Sequence, residues 1–144
     1  MREYIPVKMP KDIWGELHLP RENTQLRELV VKGFPVEVLY MVASMMGVTQ
    51  ATLRDALRIP SSTFQRRRND GRFSMKESNR LYCLIEILTR ATDLFDDDRK
   101  AAVEWMTKEV PGLGYNRPVD MLDTHVGTQA VLDLISRLEY GVHS

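Results

Sequence analysis

Apolar residues along this chain recur at three- and four-residue steps, the period of one helical face, and no alternating stretch is long enough to predict a strand. The longest stripe, Leu81, Leu84, Ile85, Leu88, Ala91 and Phe95, predicts a helix from Ser74 to about Phe95. Ser74-Met75-Lys76-Glu77 opens it as a capping box, with Ser and Glu each accepting a backbone N–H at the other's position. Upstream, Leu26, Leu29 and Val30 predict a helix capped by Asn23 or Thr24, running to Lys32 and stopped by Gly33. Pro35 then suits the first turn of a helix whose wide apolar face holds Val36, Leu39, Tyr40, Val42, Ala43 and Met46, and which Gly47 ends. So broad a face marks a core helix or a dimer contact.

Residues 49–68, TQATLRDALRIPSSTFQRRR, predict two short helices joined by a tight turn, packed through Leu53, Leu57, Ile59 and Phe64. Pro60 breaks the helix in the turn, and Ser61 can cap the second helix. This is the layout of a helix-turn-helix, whose second helix enters the DNA major groove. Ser61, Ser62, Gln65 and Arg66 are the candidates for base edges, and Arg67, Arg68 and Arg72 for phosphates. Arg54 and Arg58 stand where Ala and Gly are expected, and Arg67 where an apolar contact is common. The bland alternative is a helical hairpin with a solvated arginine face. Because specific sites usually need two such motifs, the chain is expected to form a homodimer, joined through the residue 36–46 helix or an N-terminal arm.

The flanks are less regular. Pro6, Pro10 and Pro20 make residues 1–20 an arm in which Tyr4, Ile5 and Val7 can extend and Trp14 and Leu17 can dock on the core. Asn69-Asp70-Gly71 reads as a turn, and Asp96-Asp97-Asp98 breaks and recaps the chain ahead of a helix with Ala101, Ala102, Trp105 and Met106 inward. Pro111, Gly112 and Gly114 make a loop, and Pro118 opens a short turn through Leu122. Thr124 can cap a last helix with Val131, Leu134, Ile135 and Leu138 on its apolar side. Gly141 is expected to stop it after Tyr140, leaving Val142-His143-Ser144 as a tail. The fold class is therefore all-α: an arm (1–20), a helix-turn-helix bundle (21–92) and a small C-terminal helical domain (93–144).

Composition sharpens this picture. The net charge of the 144 residues is zero, but residues 49–72 hold six Arg against two Asp, a local +4, while residues 93–144 hold five bases against ten acids, a local −5. A basic middle and an acidic end suggest two different partners. The one cysteine, Cys83, cannot form an internal disulfide, falls on an apolar stripe and fits a reducing cytoplasm. No secretory leader, apolar span or internal repeat is read in the sequence, so a cytoplasmic protein without membrane contact is expected. His18, His125 and His143 share no triad or metal spacing, and Gly112-Leu113-Gly114 lacks the preceding strand and third glycine of a phosphate loop. No enzyme, metal or cofactor is expected.

The C-terminal third carries an ordered pattern: Gly114, Arg117-Pro118-Val119-Asp120-Met121-Leu122, Thr124, Gly127, Val131, Leu134, then Leu138-Glu139-Tyr140-Gly141. It resembles the toxin-binding domain of MbcA/ParS/Xre antitoxins. Ser61 to Arg67, Ser74, Glu77, Asn79-Arg80-Leu81, Ala91, Leu94-Phe95, Ala102 and Trp105 extend the resemblance over about residues 49–142. The resemblance implies the antitoxin of a two-gene pair, with a RES-domain toxin, similar to ADP-ribosyltransferases, that destroys NAD. It implies that the C-terminal end covers the toxin's active site and that the Xre-like helix-turn-helix represses the operon. The residues expected at the toxin are Arg117, Arg137, Glu139, Tyr140, Gly141, Val142, His143 and Ser144. Tyr140 is either core or anchor. A plain dimeric helix-turn-helix regulator without a toxin partner is the alternative.

Overall fold

A computed structural model describes residues 12–143, the last two by their backbone alone. Tyr4, Ile5 and Val7 of the expected arm, and Ser144, lie outside the described residues. The described residues form eight α-helices: α1 (Ile13–Glu16), α2 (Asn23–Lys32), α3 (Glu37–Met46), α4 (Gln50–Ala56), α5 (Ser61–Asp70), α6 (Met75–Leu94), α7 (Arg99–Met106) and α8 (His125–His143). Two 3₁₀ turns, Pro111–Leu113 and Pro118–Met121, precede α8. The all-α expectation holds.

The core is one contiguous cluster running from Ile13 to Ile135. Its centre is α6, where Leu81, Leu84, Ile85, Ile87, Leu88 and Ala91 are completely buried. This helix packs against α1, α2, α7 and α8. The expected capping box is formed in full: the Glu77 N–H donates to Ser74 Oγ at 3.2 Å and the Ser74 N–H to Glu77 Oε1 at 2.8 Å. Trp14 docks on it as expected, its ring 5.7 Å from that of Tyr82.

The helix α3 belongs to the core, with Val38, Leu39, Val42, Ala43 and Met46 buried against neighbours that include α4 and α7. Its apolar face is occupied within the monomer, so the expected dimer contact through residues 36–46 is set aside. Pro35 is not the first residue of α3. It forms an isolated antiparallel bridge with Arg72, flanked by Phe73 N–H to Phe34 O at 2.9 Å and Val36 N–H to Gly71 O at 3.1 Å. Arg72 Nη1 donates to Gly33 O at 2.7 Å, and the buried Phe34 N–H donates to Ser78 Oγ at 2.8 Å. This clasp ties the α2–α3 connection to the α5–α6 connection. Gly33 makes it possible: its φ is +104°, and an added Cβ would fall 2.0 Å from Phe73 O.

Several boundaries differ from expectation. Glu22, not Asn23 or Thr24, caps α2, accepting the Thr24 and Gln25 N–H groups at 2.9 Å each, and those bonds hold its carboxyl below the usual carboxylate value. Ser61 is the first residue of α5 and makes no side-chain cap, because Pro60 is already the boundary residue. Asn69 and Asp70 are helical, and the turn is Gly71 alone in the left-handed conformation. Asp96 and Asp97 turn the chain with φ of 54° and 70°, and Asp98 caps α7 by accepting the Ala101 N–H at 3.1 Å. Thr124 caps α8 as expected, through Gly127 N–H at 2.9 Å. Gly141 is not a left-handed stop: α8 continues through it to His143. Leu138 is 38% exposed instead of inward.

Replacing Gly33 by alanine is expected to destabilise the fold by at least about 2 kcal/mol, from a strained φ and a backbone clash together. Urea unfolding of G33A against wild type checks this; midpoints that coincide would show that the clasp relaxes freely.

Candidate functional site

The first candidate surface is built on α4 and α5. Thr49 caps α4 through the Thr52 N–H at 3.0 Å, and Leu53, Leu57, Ile59 and Phe64 are all buried. Arg58 takes the left-handed position of the turn at φ 56°, where glycine is less strained. The turn is closed by Arg58 N–H to Asp55 O and Ile59 N–H to Arg54 O, both at 3.0 Å, and by Arg80 Nη1 donating to Leu57 O at 3.1 Å. Arg54 fits where a small residue is expected by laying its guanidinium over the Phe64 ring, 6.0 Å from the centroid.

Phe64 is the only residue that α5 buries. It sits edge-on to Tyr40 at 6.2 Å and stacks near Phe73 at 6.3 Å. Ser61, Ser62, Gln65, Arg66 and Arg68 are all exposed along the helix. Spacing of three, four and seven brings Ser61, Gln65 and Arg68 onto one face, with Ser62 and Arg66 beside them.

The other two phosphate candidates are committed elsewhere. Arg67 reaches α6 and grips Glu77 through Nε at 2.7 Å and Nη2 at 3.3 Å. Arg72 is held by the Gly33 carbonyl. Both of the Arg67 donors named are taken up by Glu77, and Arg72 has its Nη1 engaged by a carbonyl. Glu77 is 7% exposed and does two jobs, capping α6 and orienting α5. Burial alone raises its pKa, but hydrogen bonds from Arg67 and Ser74 outweigh that and leave the carboxyl below its ordinary value. The capping box was visible in the sequence; the second partner of Glu77, ten residues away, was not.

The second candidate surface is the C-terminal segment. Tyr140 is 78% exposed near the end of α8, which removes it from the core. Arg137 and Gly141 are exposed and Glu139 is half-buried. Arg117 folds back on Asp120 in a two-pronged pair at 2.7 and 2.9 Å. Of Val142 and His143 only the helical backbone is described. Near the end of α6, the Asp93 carboxyl is pushed up first by burial and then by Asp97, Glu139 and Asp12, which together make an acidic neighbourhood. Tyr115 and Val126 are large exposed apolar residues that pattern analysis did not single out. Val126 lies off the periodic stripe, and nothing local marks either one. Cys83 is half-buried, and burial pushes its thiol up, the wrong direction for a nucleophile.

Residues 25–86 match the family model described as the antitoxin Xre-like helix-turn-helix domain. Residues 90–141 match that of the antitoxin Xre/MbcA/ParS C-terminal toxin-binding domain. A relative from Yersinia enterocolitica, named Antitoxin Xre, is 37% identical over 148 residues covering 100% of both chains. The chain belongs to the Xre/MbcA/ParS antitoxin family. A second protein named Antitoxin Xre, from Photorhabdus laumondii, is 29% identical over 92% of this chain and 90% of its own. A Sphingobium protein named Prs ADP-ribosylating antitoxin is 24% identical over 78% of this chain and 77% of its own. No helix among the described residues is long and apolar enough to cross a membrane.

In this antitoxin-family chain the Arg67–Glu77 pair tests how α5 is held. The E77Q variant is expected to lose about 3 kcal/mol of stability near neutral pH, the low end for a broken buried pair because Arg67 keeps some solvent. Glu77 titrates below its ordinary value in the folded state, so its contribution is complete at neutral pH. It fades as pH falls below the normal carboxylate range and through the folded pKa. Urea melts at neutral pH and near pH 3 should therefore show the gap between wild type and E77Q narrowing in acid. A gap independent of pH refutes the assignment.

Proposed function

We propose that this chain neutralises an NAD-degrading RES-domain toxin and represses its own operon. In this reading residues 93–144 cover the toxin's active site, residues 21–92 bind operator DNA as a homodimer, and the protein acts by binding, without catalysis, in the cytoplasm. The observation that carries it is the end of α8: a helix continuous to His143 that leaves Tyr140 78% exposed. An exposed aromatic on a rigid helix is the kind of residue that anchors an interface. The acids at 93, 97 and 139 lie in the same segment and suit a pocket made positive for a dinucleotide's phosphates. The name of the Sphingobium relative speaks of ADP-ribosylation. NAD is the ADP-ribose donor of that chemistry, which favours an NAD-consuming partner here.

On this reading Arg137, Glu139, Tyr140, Gly141, Val142, His143 and Ser144 meet the toxin directly. Arg117, paired with Asp120, supports the loop that leads into α8. Ser61, Ser62, Gln65 and Arg66 read bases, and Arg68 holds a phosphate.

The test is co-expression with the neighbouring gene, pull-down, and a cellular NAD assay. A tight complex, with NAD preserved only when this chain is present, is the expected result. No complex and no fall in NAD would leave a plain DNA-binding regulator. Within the complex, Y140A is expected to weaken binding by about 30-fold or more, the scale of an interface hot spot. Removing residues 142–144 should impair protection; protection that survives the truncation rules out the helix end as the plug.

A further inference from the structure

Apart from Arg54, which lies over the Phe64 ring, the arginines of residues 49–72 fall into three states. Arg66 and Arg68 are exposed, while Arg67 and Arg72 are committed to Glu77 and to the Gly33 carbonyl. Arg58 is the third case. It lies on the turn with its side chain 57% exposed, and its Nε is 3.4 Å from Oδ2 of Asp123, itself 39% exposed. Asp123 belongs to the C-terminal segment, directly before Thr124, the cap of α8. An acid from the toxin-binding half therefore neutralises a base on the turn of the DNA-binding half.

Arg58 stands close to the start of the recognition helix. Ser61, the first residue of α5, is three residues on, within about 11 Å even for a fully extended chain. In helix-turn-helix docking the N-terminal residues of the second helix meet base edges, so the flanking backbone phosphates come within reach of a long side chain on the turn. An exposed guanidinium there is suited to grip a phosphate. The bond to Asp123 is built to be exchanged: it is a single contact between half-exposed groups, unlike the two-pronged, buried Arg67–Glu77 pair.

We infer that Asp123 is an intramolecular stand-in for a DNA phosphate, holding Arg58 in the free protein and restraining operator binding until it is displaced. A partner that takes hold of the segment before α8 and draws Asp123 away frees Arg58 for the backbone. Contact with that partner and affinity for DNA are then coupled through one ion pair. This inference rests on the operator-binding reading above.

The experiment is a titration of full-length wild type, D123N, R58Q and the double variant against two fluorescein-labelled duplexes. One carries the sequence upstream of the gene; the other is a random sequence of equal length. Salt is varied between about 50 and 200 mM. In D123N, Arg58 is released to a phosphate, so both duplexes should bind about two- to fivefold more tightly at low salt, the worth of an exposed ion pair. The slope of log affinity against log salt should steepen by about 0.9, one additional phosphate contact. In the R58Q background the D123N change should lose its effect, which a merely structural role for Asp123 does not predict. Wild type that binds while D123N leaves affinity and slope unmoved overturns the inference, as does an equal gain with Arg58 absent. If wild type binds neither duplex, the operator-binding reading fails first and takes this one with it.

Discussion

Every functional element of this chain is held in place by α6. Six apolar positions of its stripe, from Leu81 to Ala91, are removed from solvent completely, and α1, α2, α7 and α8 all lean on them. Burial of a large aliphatic side chain contributes about 1.5–3 kcal/mol, so this stripe outweighs any ion pair in the molecule. The polar start of α6 has a different task. Glu77 is the N-terminal cap's partner and the ligand of Arg67, so the residue that fixes where α6 begins also fixes the pitch of α5. Hydrophobic burial supplies cohesion here, and one buried carboxylate supplies orientation.

That division explains how the outer face of α5 stays free. A helix with one buried residue has little packing of its own, and its intrinsic stability at ten residues is marginal. It is secured from outside, by Phe64 against Tyr40 and Phe73, by Arg67 to Glu77, and by the clasp that begins at Gly71. None of these uses Ser61, Ser62, Gln65 or Arg66. Those positions can therefore change without loosening the helix that carries them.

What the sequence made legible was the local part of this arrangement. The α6 stripe, the Ser74–Glu77 box, the aspartate turn and the Thr124 cap all depend on residues within one or two turns of each other, and each is found as read. The burial of Leu53, Leu57, Ile59 and Phe64 was likewise visible from spacing. Long-range partners were not. Nothing adjacent to Arg67 or Arg72 reveals that Glu77 and the Gly33 carbonyl claim them, so both looked available for phosphate. Pro35 suits a helix start by its fixed φ, but the bridge to Arg72 places it in a clasp instead. Gly141 resembles a stop because glycine often is one; a glycine is left-handed only where the next residues leave the helix, and here they continue.

The last of these differences bears on how the C-terminal end can act. A free tail that orders on its partner gives up about 1–2 kcal/mol of backbone entropy for each residue fixed. Residues 141–143 are already helical, an extension of the rod that Val131, Leu134 and Ile135 pin to the core. Under the proposed mode of inhibition, most of that ordering cost is met when the chain folds, and little of it when the toxin binds. Tyr140 and the residues after it would then arrive at a fixed angle, set by α6 through α8. The same core helix that sets the pitch of α5 thus also sets the direction of the far end of the chain, the two surfaces on which the proposed function rests.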